Sequence, residues 1–364
     1  MAAVASFFSQ SYAEAREKFL KTVETAGGEV VDRHPHPLKG PAGGDLATDV
    51  AWVGPHTAKK LLVLVSSTHG IEGYFGSGCQ ISWLANRHYD RDASPDTAVL
   101  LIHAVNPHGF AHGRRVNEDN VDLNRNFIDF SKPLPKNADY EALQDHINPR
   151  EWSETALAKA DQAIAAFYKM PNADFLPKAA HGGQFVNDRG TFFGGFKPTW
   201  SNATFRAIVA KWMQGKSHIG LIDYHTGLGP FGHGDMIYGG QAAEGDARLW
   251  FDHETPTIEE LKGSGHLSNR LPGMLSQVLV EACPGARVTA GAIEYGTHDT
   301  RSVLKSVRAD NWVHTHGDPK SAFAKETRAQ VREMFYPAAF EWKIMVASRS
   351  NDVIRQALVA LARA

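Results

Sequence analysis

Residues 61–65 are Leu-Leu-Val-Leu-Val, and this wholly apolar run passes through Ser66-Ser67-Thr68 straight into His69-Gly70-Ile71-Glu72. A short apolar strand that ends on an imidazole and a carboxylate three residues apart constrains the chain more than any other segment. In open α/β sheets the carboxyl ends of the strands form the crevice where ligands bind. Histidine nitrogen with carboxylate oxygen is also a ligand pair that zinc accepts. The spacing by itself carries little: with 18 histidines in the chain, about one His-x-x-Glu is expected by chance, so the strand context has to carry the weight. Further strand patterns at 49–53 and 99–104, with helical spacing at 77–88 between the strands at 61–65 and 99–104, describe a crossover unit with neighbouring parallel strands.

With 364 residues, 43% of them hydrophobic, the chain can bury a large core. Its 38 basic and 40 acidic residues are scattered, with no block of like charge to serve as a nucleic-acid arm or membrane patch, so neither nucleic acid nor membrane is an expected partner. The two cysteines, Cys79 and Cys283, stand apart and read as buried thiols of a reducing compartment. The first residues lack a basic start followed by a sustained apolar stretch, and no window approaches the roughly 18 apolar residues of a membrane helix, so the expected location is the cytoplasm.

Residues 5–25 carry helical spacing, ended by Gly27-Gly28 before an extended stretch at 29–31. Residues 131–200 read as an insertion with one clear helix at 152–170 and a glycine-rich loop at 181–198, either a lid or binding wall or a disordered insertion. A helix at 202–214 precedes an apolar strand at 219–224 that delivers His225, and a strand at 287–293 delivers Glu294. From 320 to 364 the pattern is helical with a break near Pro337. With no repeat and no sharp change of composition, residues 1–364 read as one α/β domain: a mixed, mostly parallel central sheet flanked by helices.

Three strand ends thus supply His69 with Glu72, then His225, then Glu294. That is the inventory of zinc catalysis: three protein ligands leave a fourth position for water, and a separate carboxylate takes its proton. Asp223, two residues before His225 on the same strand, shares its face and is placed to support the histidine or to orient the loop.

The segment after the strand at 99–104 contains Asn106-Pro107-His108-Gly109, Arg115 and Asp122-Leu123-Asn124-Arg125-Asn126-Phe127. With the upstream His-x-x-Glu, the Asp-x-His and Glu294-Tyr295-Gly296-Thr297, these elements resemble the zinc carboxypeptidase superfamily over residues 61–297. The resemblance implies the carboxypeptidase-like fold and one zinc ion held by His69, Glu72 and His225. It further implies Glu294 as general base, Arg115 at the oxyanion, and Asn124 with Arg125 gripping a substrate carboxylate, which a guanidinium fork matches bidentately. Arg114 is the neighbour to be distinguished from Arg115, and its alternative is a loop-bracing role. His108 stands where the family has aspartate, at a turn position of no expected catalytic weight. Asp122 and Asn126 read as turn residues outside the site.

One departure is informative. Digestive carboxypeptidases carry a tyrosine about twenty residues before the catalytic glutamate, and this chain has none between Tyr238 and Glu294. The expected cap is then the 181–198 stretch, and the chain moves towards the superfamily's deacylases, such as succinylglutamate desuccinylase and aspartoacylase. The expectation is a zinc-dependent hydrolase of an amide next to a free carboxylate, acting on a peptide or small molecule. The alternatives are an N-acyl-amino-acid deacylase and a noncatalytic metal- or ligand-binding protein; cobalt or manganese could occupy the same ligands. Gly76-Ser77-Gly78, preceded by Phe75, lacks the spacing of a serine nucleophile elbow, and no Gly-x-Gly-x-x-Gly opens a helix after the early strands.

Overall fold

In the computed structural model, which describes residues 2–169, 182–237, 250 and 272–363, one mixed sheet organises the chain. Its strands are β1 (Glu29–Lys39), β2 (Asp45–Val53), β3 (Lys60–Val65), β4 (Thr97–His103), β5 (His218–Phe231), β6 (Gly234–Ile237) and β7 (Arg287–Gly296), in the order β1-β2-β4-β3-β5-β7-β6. The four central strands, β4-β3-β5-β7, run parallel, and β1, β2 and β6 close the edges antiparallel. The parallel character expected from the crossover pattern therefore belongs to the centre of the sheet. Helix Gly73–Ala85 makes the crossover from β3 to β4.

Each central strand is buried on both faces, which is why its sequence is an unbroken apolar run rather than an alternation. Leu62, Leu64, Val99, Leu101, Ile222 and Tyr224 pack on one side with Phe19, Phe75 and Trp342. Leu61, Val63, Val65, Leu100, Ile102 and Leu221 pack on the other with Phe205, Ile208 and Leu279. Alternate residues of one strand thus feed two helical layers, each fully buried aliphatic side chain contributing about 1.5–3 kcal/mol.

The leading helix spans Tyr12–Thr25, shorter than its apolar spacing implied, because Ser11 caps it by accepting the Glu14 N–H at 3.2 Å. It buries Tyr12, Phe19 and Val23, and Arg16 reaches Asp49 of β2 at 2.5 Å. Arg33 of β1 binds the other oxygen of this buried carboxylate at 2.7 Å. The extended stretch expected at 29–31 is an eleven-residue edge strand, mostly exposed, which tolerates Pro35 and Pro37 because, among the described residues, one side of its ladder faces no partner strand.

Within 131–200 the structure adds a helix, Ala138–Ile147, to the expected one, here Glu154–Phe167. Its signals were an Asn137 cap and the spacing of Tyr140, Leu143 and Ile147, which pack with Ile164, Phe192 and Leu304 in a satellite cluster. Residues 170 and 181, at the ends of the expected helix and loop, lie outside the described residues. The C-terminal region forms helices Thr300–Thr315, Ala322–Phe335 and Phe340–Arg363, with the break at Pro337. Both cysteines are free and buried. Among the described residues no helix is long and apolar enough to cross a membrane.

Candidate active site

Beyond β3 the chain turns sharply: Ser67 adopts a left-handed backbone (φ 64°), and the 3-10 turn Gly70–Glu72 leads into helix Gly73–Ala85. Glu72 therefore stands at a helix N-terminus, where the backbone dipole favours negative charge. Gly70 is required by close approach, since a Cβ there would collide with the backbone of Gly109 and Arg114. The Gly70 N–H donates to Arg115 O at 2.9 Å and the Ile71 N–H to Arg114 O at 2.8 Å. These bonds clasp the His-Gly-Ile-Glu turn to the segment carrying the two arginines.

That segment is set by Asn106-Pro107-His108-Gly109. Asn106 caps helix Pro107–His112 by accepting the Gly109 N–H at 2.8 Å, with Pro107 in the first turn. The Val105 and Asn106 N–H groups donate to Ser66 O and Ser67 O at 3.0 and 2.9 Å, which holds the end of β4 against the end of β3. His108, at the departure from the family pattern, stacks on His112 at 4.2 Å.

His69, Glu72 and His225 come together from β3's mouth and from β5. His225 Nδ1 lies 3.1 Å from His69 Nδ1 and 2.9 Å from Glu72 Oε2, and His69 Nδ1 lies 3.0 Å from Glu72 Oε1. All three side chains are buried. Each imidazole turns its other nitrogen to a carboxylate: His69 Nε2 to Asp122 Oδ1 at 3.1 Å, and His225 Nε2 to Asp223 Oδ2 at 2.8 Å. Thr68 Oγ donates to the second oxygen of Asp223 at 2.7 Å, so that carboxylate is fixed from both ends.

The donor set fits a divalent cation. With each Nε2 turned to an acid, both Nδ1 atoms face inward at the Glu72 carboxylate, the orientation in which two imidazoles and a carboxylate hold a metal. In the metal-free protein protons bear the charge balance. Burial alone would lift the Glu72 pKa, but the charges and hydrogen bonds of His69 and His225 outweigh it and hold it at about 2. Burial opposes protonation of His225, yet Asp223 and Glu72 raise its pKa well above the ordinary value.

Arg115, not Arg114, reaches this centre. Its Nη1 lies 3.3 Å from Glu72 Oε1, and its Nη2 lies 3.2 Å from Asp122 Oδ2. Arg114 points to Asp310 at 2.9 Å and to Asn120, bracing helix Thr300–Thr315. Asn124 sits with its amide 3.3 Å from His225 Nε2 and accepts the Leu275 N–H through Oδ1 at 3.3 Å. Arg125 is buried and donates to Asn124 O at 2.8 Å; burial and the nearby Arg115 charge lower its pKa.

Asp122 does more than the turn role read from its position. It accepts the Asn124 N–H at 3.0 Å, as a turn residue does, and it also holds both His69 and Arg115. Burial raises its pKa, but Arg115, His69 and Arg125 overcome this and keep it well below the ordinary carboxyl value. Asn126 keeps to the structural role, donating to Gly194 O and Lys197 O and accepting the Thr199 N–H.

Glu294 on β7 pairs in register with His225 on β5. Just past His225 the ladder is interrupted between Thr226 and Phe231, and the chain bulges so that the Leu228 N–H donates to Glu294 Oε1 at 3.1 Å. The bulge needs Gly227, whose φ of 130° an L side chain rarely adopts. Burial, reinforced by the Glu72 charge, pushes Glu294 up to about 8 against the pull of His225, the Leu228 amide and Arg115.

Among solved structures the chain is similar to carboxypeptidase A from Helicoverpa armigera (12% identity, 94% of this chain and 73% of that one, TM-score 0.45). It is similar to bovine thrombin-activatable fibrinolysis inhibitor bound to a tick carboxypeptidase inhibitor (11%, 97% of each chain, TM-score 0.48). A third is the succinylglutamate desuccinylase from Chromobacterium violaceum (13%, 88% of this chain and 74% of that one, TM-score 0.34). No curated protein matches the sequence. Residues 8–349, from the leading helix to the last helix and with the whole His-Glu-His centre between them, match the family described as "Protein of unknown function (DUF2817)", to which this chain belongs.

Proposed function

We infer that the protein is a metal-dependent hydrolase, most simply with one zinc ion, that cleaves an amide bond next to a free carboxylate. The observation that carries this reading is the convergence of His69, Glu72 and His225 within 3.1 Å of one another, with Glu294 in register beside His225. When bound, the ion supplies Lewis acidity towards the scissile carbonyl and a water of lowered pKa. The chain's own residues do the rest. Glu294, held by the Leu228 amide through one oxygen, accepts the water proton on the other and passes it to the leaving nitrogen. Arg115 offers its guanidinium to the developing oxyanion, a contact worth about 3 kcal/mol in comparable sites. Asn124 and Arg125 bind the substrate carboxylate, and Asp122 and Asp223 fix the two imidazoles.

The test is elemental analysis of the purified protein combined with chelator-sensitive hydrolysis of two substrate sets, C-terminally free dipeptides and N-acyl amino acids. Cleavage of the first set supports a carboxypeptidase. Cleavage of the second alone supports the deacylase alternative, which the missing tyrosine between Tyr238 and Glu294 favours. Protein that takes up the metal and cleaves neither set sinks the hydrolase reading.

A further inference from the structure

We propose that Phe192 is the positioning residue for Arg115, the guanidinium assigned above to the oxyanion; the catalytic part of this proposal rests on that reading. Phe192 has a φ of 58°, a left-handed backbone that is an outlier for a bulky aromatic residue. Such a conformation persists only where the surroundings over-determine it, and it concentrates at functional sites. Here the surroundings are explicit. The Thr191 N–H donates to Asn148 Oδ1 at 2.9 Å, and Thr191 O accepts Tyr140 OH at 2.9 Å. Phe192 O accepts the Gln184 N–H at 3.0 Å, and Phe193 O accepts the Asp122 N–H at 2.8 Å. The last bond ties this strained tripeptide to the same aspartate that holds His69 and Arg115.

The ring is 5% exposed and packs with Tyr140, Leu143, Ile147, Ile164 and Leu304. Its other side meets Arg115, whose Cζ stands 5.9 Å from the ring centroid, within the range of cation–π attraction. Arg115 has the carboxylates of Glu72 and Asp122 ahead of it and the aromatic wall of Phe192 beside it. Asp310, which lines the same small cavity as Arg115 and Phe192, is held by Arg114 at 2.9 Å. The ring keeps the guanidinium on the Glu72 and Asp122 side of that cavity, and the left-handed backbone is what aims the ring there.

The test uses the full-length, metal-loaded protein. Phe192→Leu keeps an apolar side chain at the same backbone but removes the π face; Phe192→Gly removes the ring and relieves the left-handed backbone. Both are expected to lower kcat about tenfold with KM within twofold of wild type, and Phe192→Tyr is expected to restore it. In an Arg115→Lys background the Phe192→Leu change is expected to add less than twofold. An equal loss in both backgrounds, or an unchanged kcat in both variants, overturns the proposal.

A second readout is independent of turnover: the Arg115 Nε–Hε resonance, assigned by its loss in Arg115→Lys, is expected to move and exchange faster in Phe192→Leu. An unmoved resonance overturns the positioning role whatever the kinetics. A moved resonance in a protein that cleaves no amide supports the positioning role and sinks the hydrolase reading instead.

Discussion

Asp122 holds His69 Nε2 on one oxygen at 3.1 Å and the Arg115 guanidinium on the other at 3.2 Å. One carboxylate therefore orients the His69 imidazole and the Arg115 guanidinium together. Asp122→Asn keeps an acceptor for the Asn124 N–H but loses the carboxylate charge that holds His69 Nε2 in place. Metal affinity is expected to fall about 10–100-fold, read by competition with a chelator of known affinity. Retention of wild-type affinity in a folded Asp122→Asn protein contradicts this role.

Metal uptake is expected to release protons. The metal-free protein holds a proton on His225, whose pKa Asp223 and Glu72 raise well above ordinary histidine. A cation can take that position only by displacing the proton, so apparent affinity weakens as pH falls. Calorimetric titrations in buffers of different ionisation enthalpy measure the number released, and zero is the contrary result.

Glu294→Gln preserves shape and the acceptor for the Leu228 N–H while removing the base. Turnover is expected to drop by about 10²–10⁴ with the metal content unchanged. Unaltered turnover removes Glu294 from the proton transfer.

The two adjacent arginines separate cleanly. Arg115→Lys is expected to lower kcat about 10²–10³-fold, since an ammonium cannot reproduce the fork that spans Glu72 and Asp122. Arg114→Lys is expected to leave kcat alone and to lower stability by about 1–3 kcal/mol through the buried pair with Asp310. The pair of denaturation curves and rate constants decides it, and the reverse pattern assigns the roles the other way round.

Stability is expected to fall in mild acid through His103. This residue is completely buried, stacks on Phe19 at 4.5 Å and lies 2.9 Å from Ser77 Oγ. Burial, with Arg16 adding to it and Asp49 opposing, lowers its pKa to about 4. The unfolded chain takes up a proton near the ordinary 6.5 that the fold refuses, so stability is complete above 6.5 and declines as pH falls towards 4. The loss amounts to about 3 kcal/mol at most. Urea titrations at pH 7 and 4.5 on wild type and His103→Gln isolate the effect, and an identical pH slope in the two proteins removes it.

The convergence of His69, Glu72, His225 and Glu294 was legible in the sequence because each lies on or just past an apolar strand, and parallel central strands carry their carboxyl ends to one edge. What stayed hidden depends on contacts between distant segments. Asp122 finds His69 across 53 positions, and nothing local separates that role from the turn it also makes. Residues 182–198 look like a bare loop because their order comes from side chains elsewhere: Asn120, Asn126, Asn137 and Asn148 bind its backbone. Helix Ala138–Ile147 did carry its signals, an Asn cap and regular apolar spacing, but the neighbouring prolines and polar residues masked them.

The two hydrogen bonds from the Gly70 and Ile71 N–H groups to the carbonyls of Arg115 and Arg114 make a rivet between the 3-10 turn and the arginine loop. Loosening either loop releases both. Thermal fraying should therefore dismantle the pocket in one event, with the Gly70 and Ile71 amides exchanging with deuterium at the rate at which His69 and Glu72 part from Arg115 and Asp122.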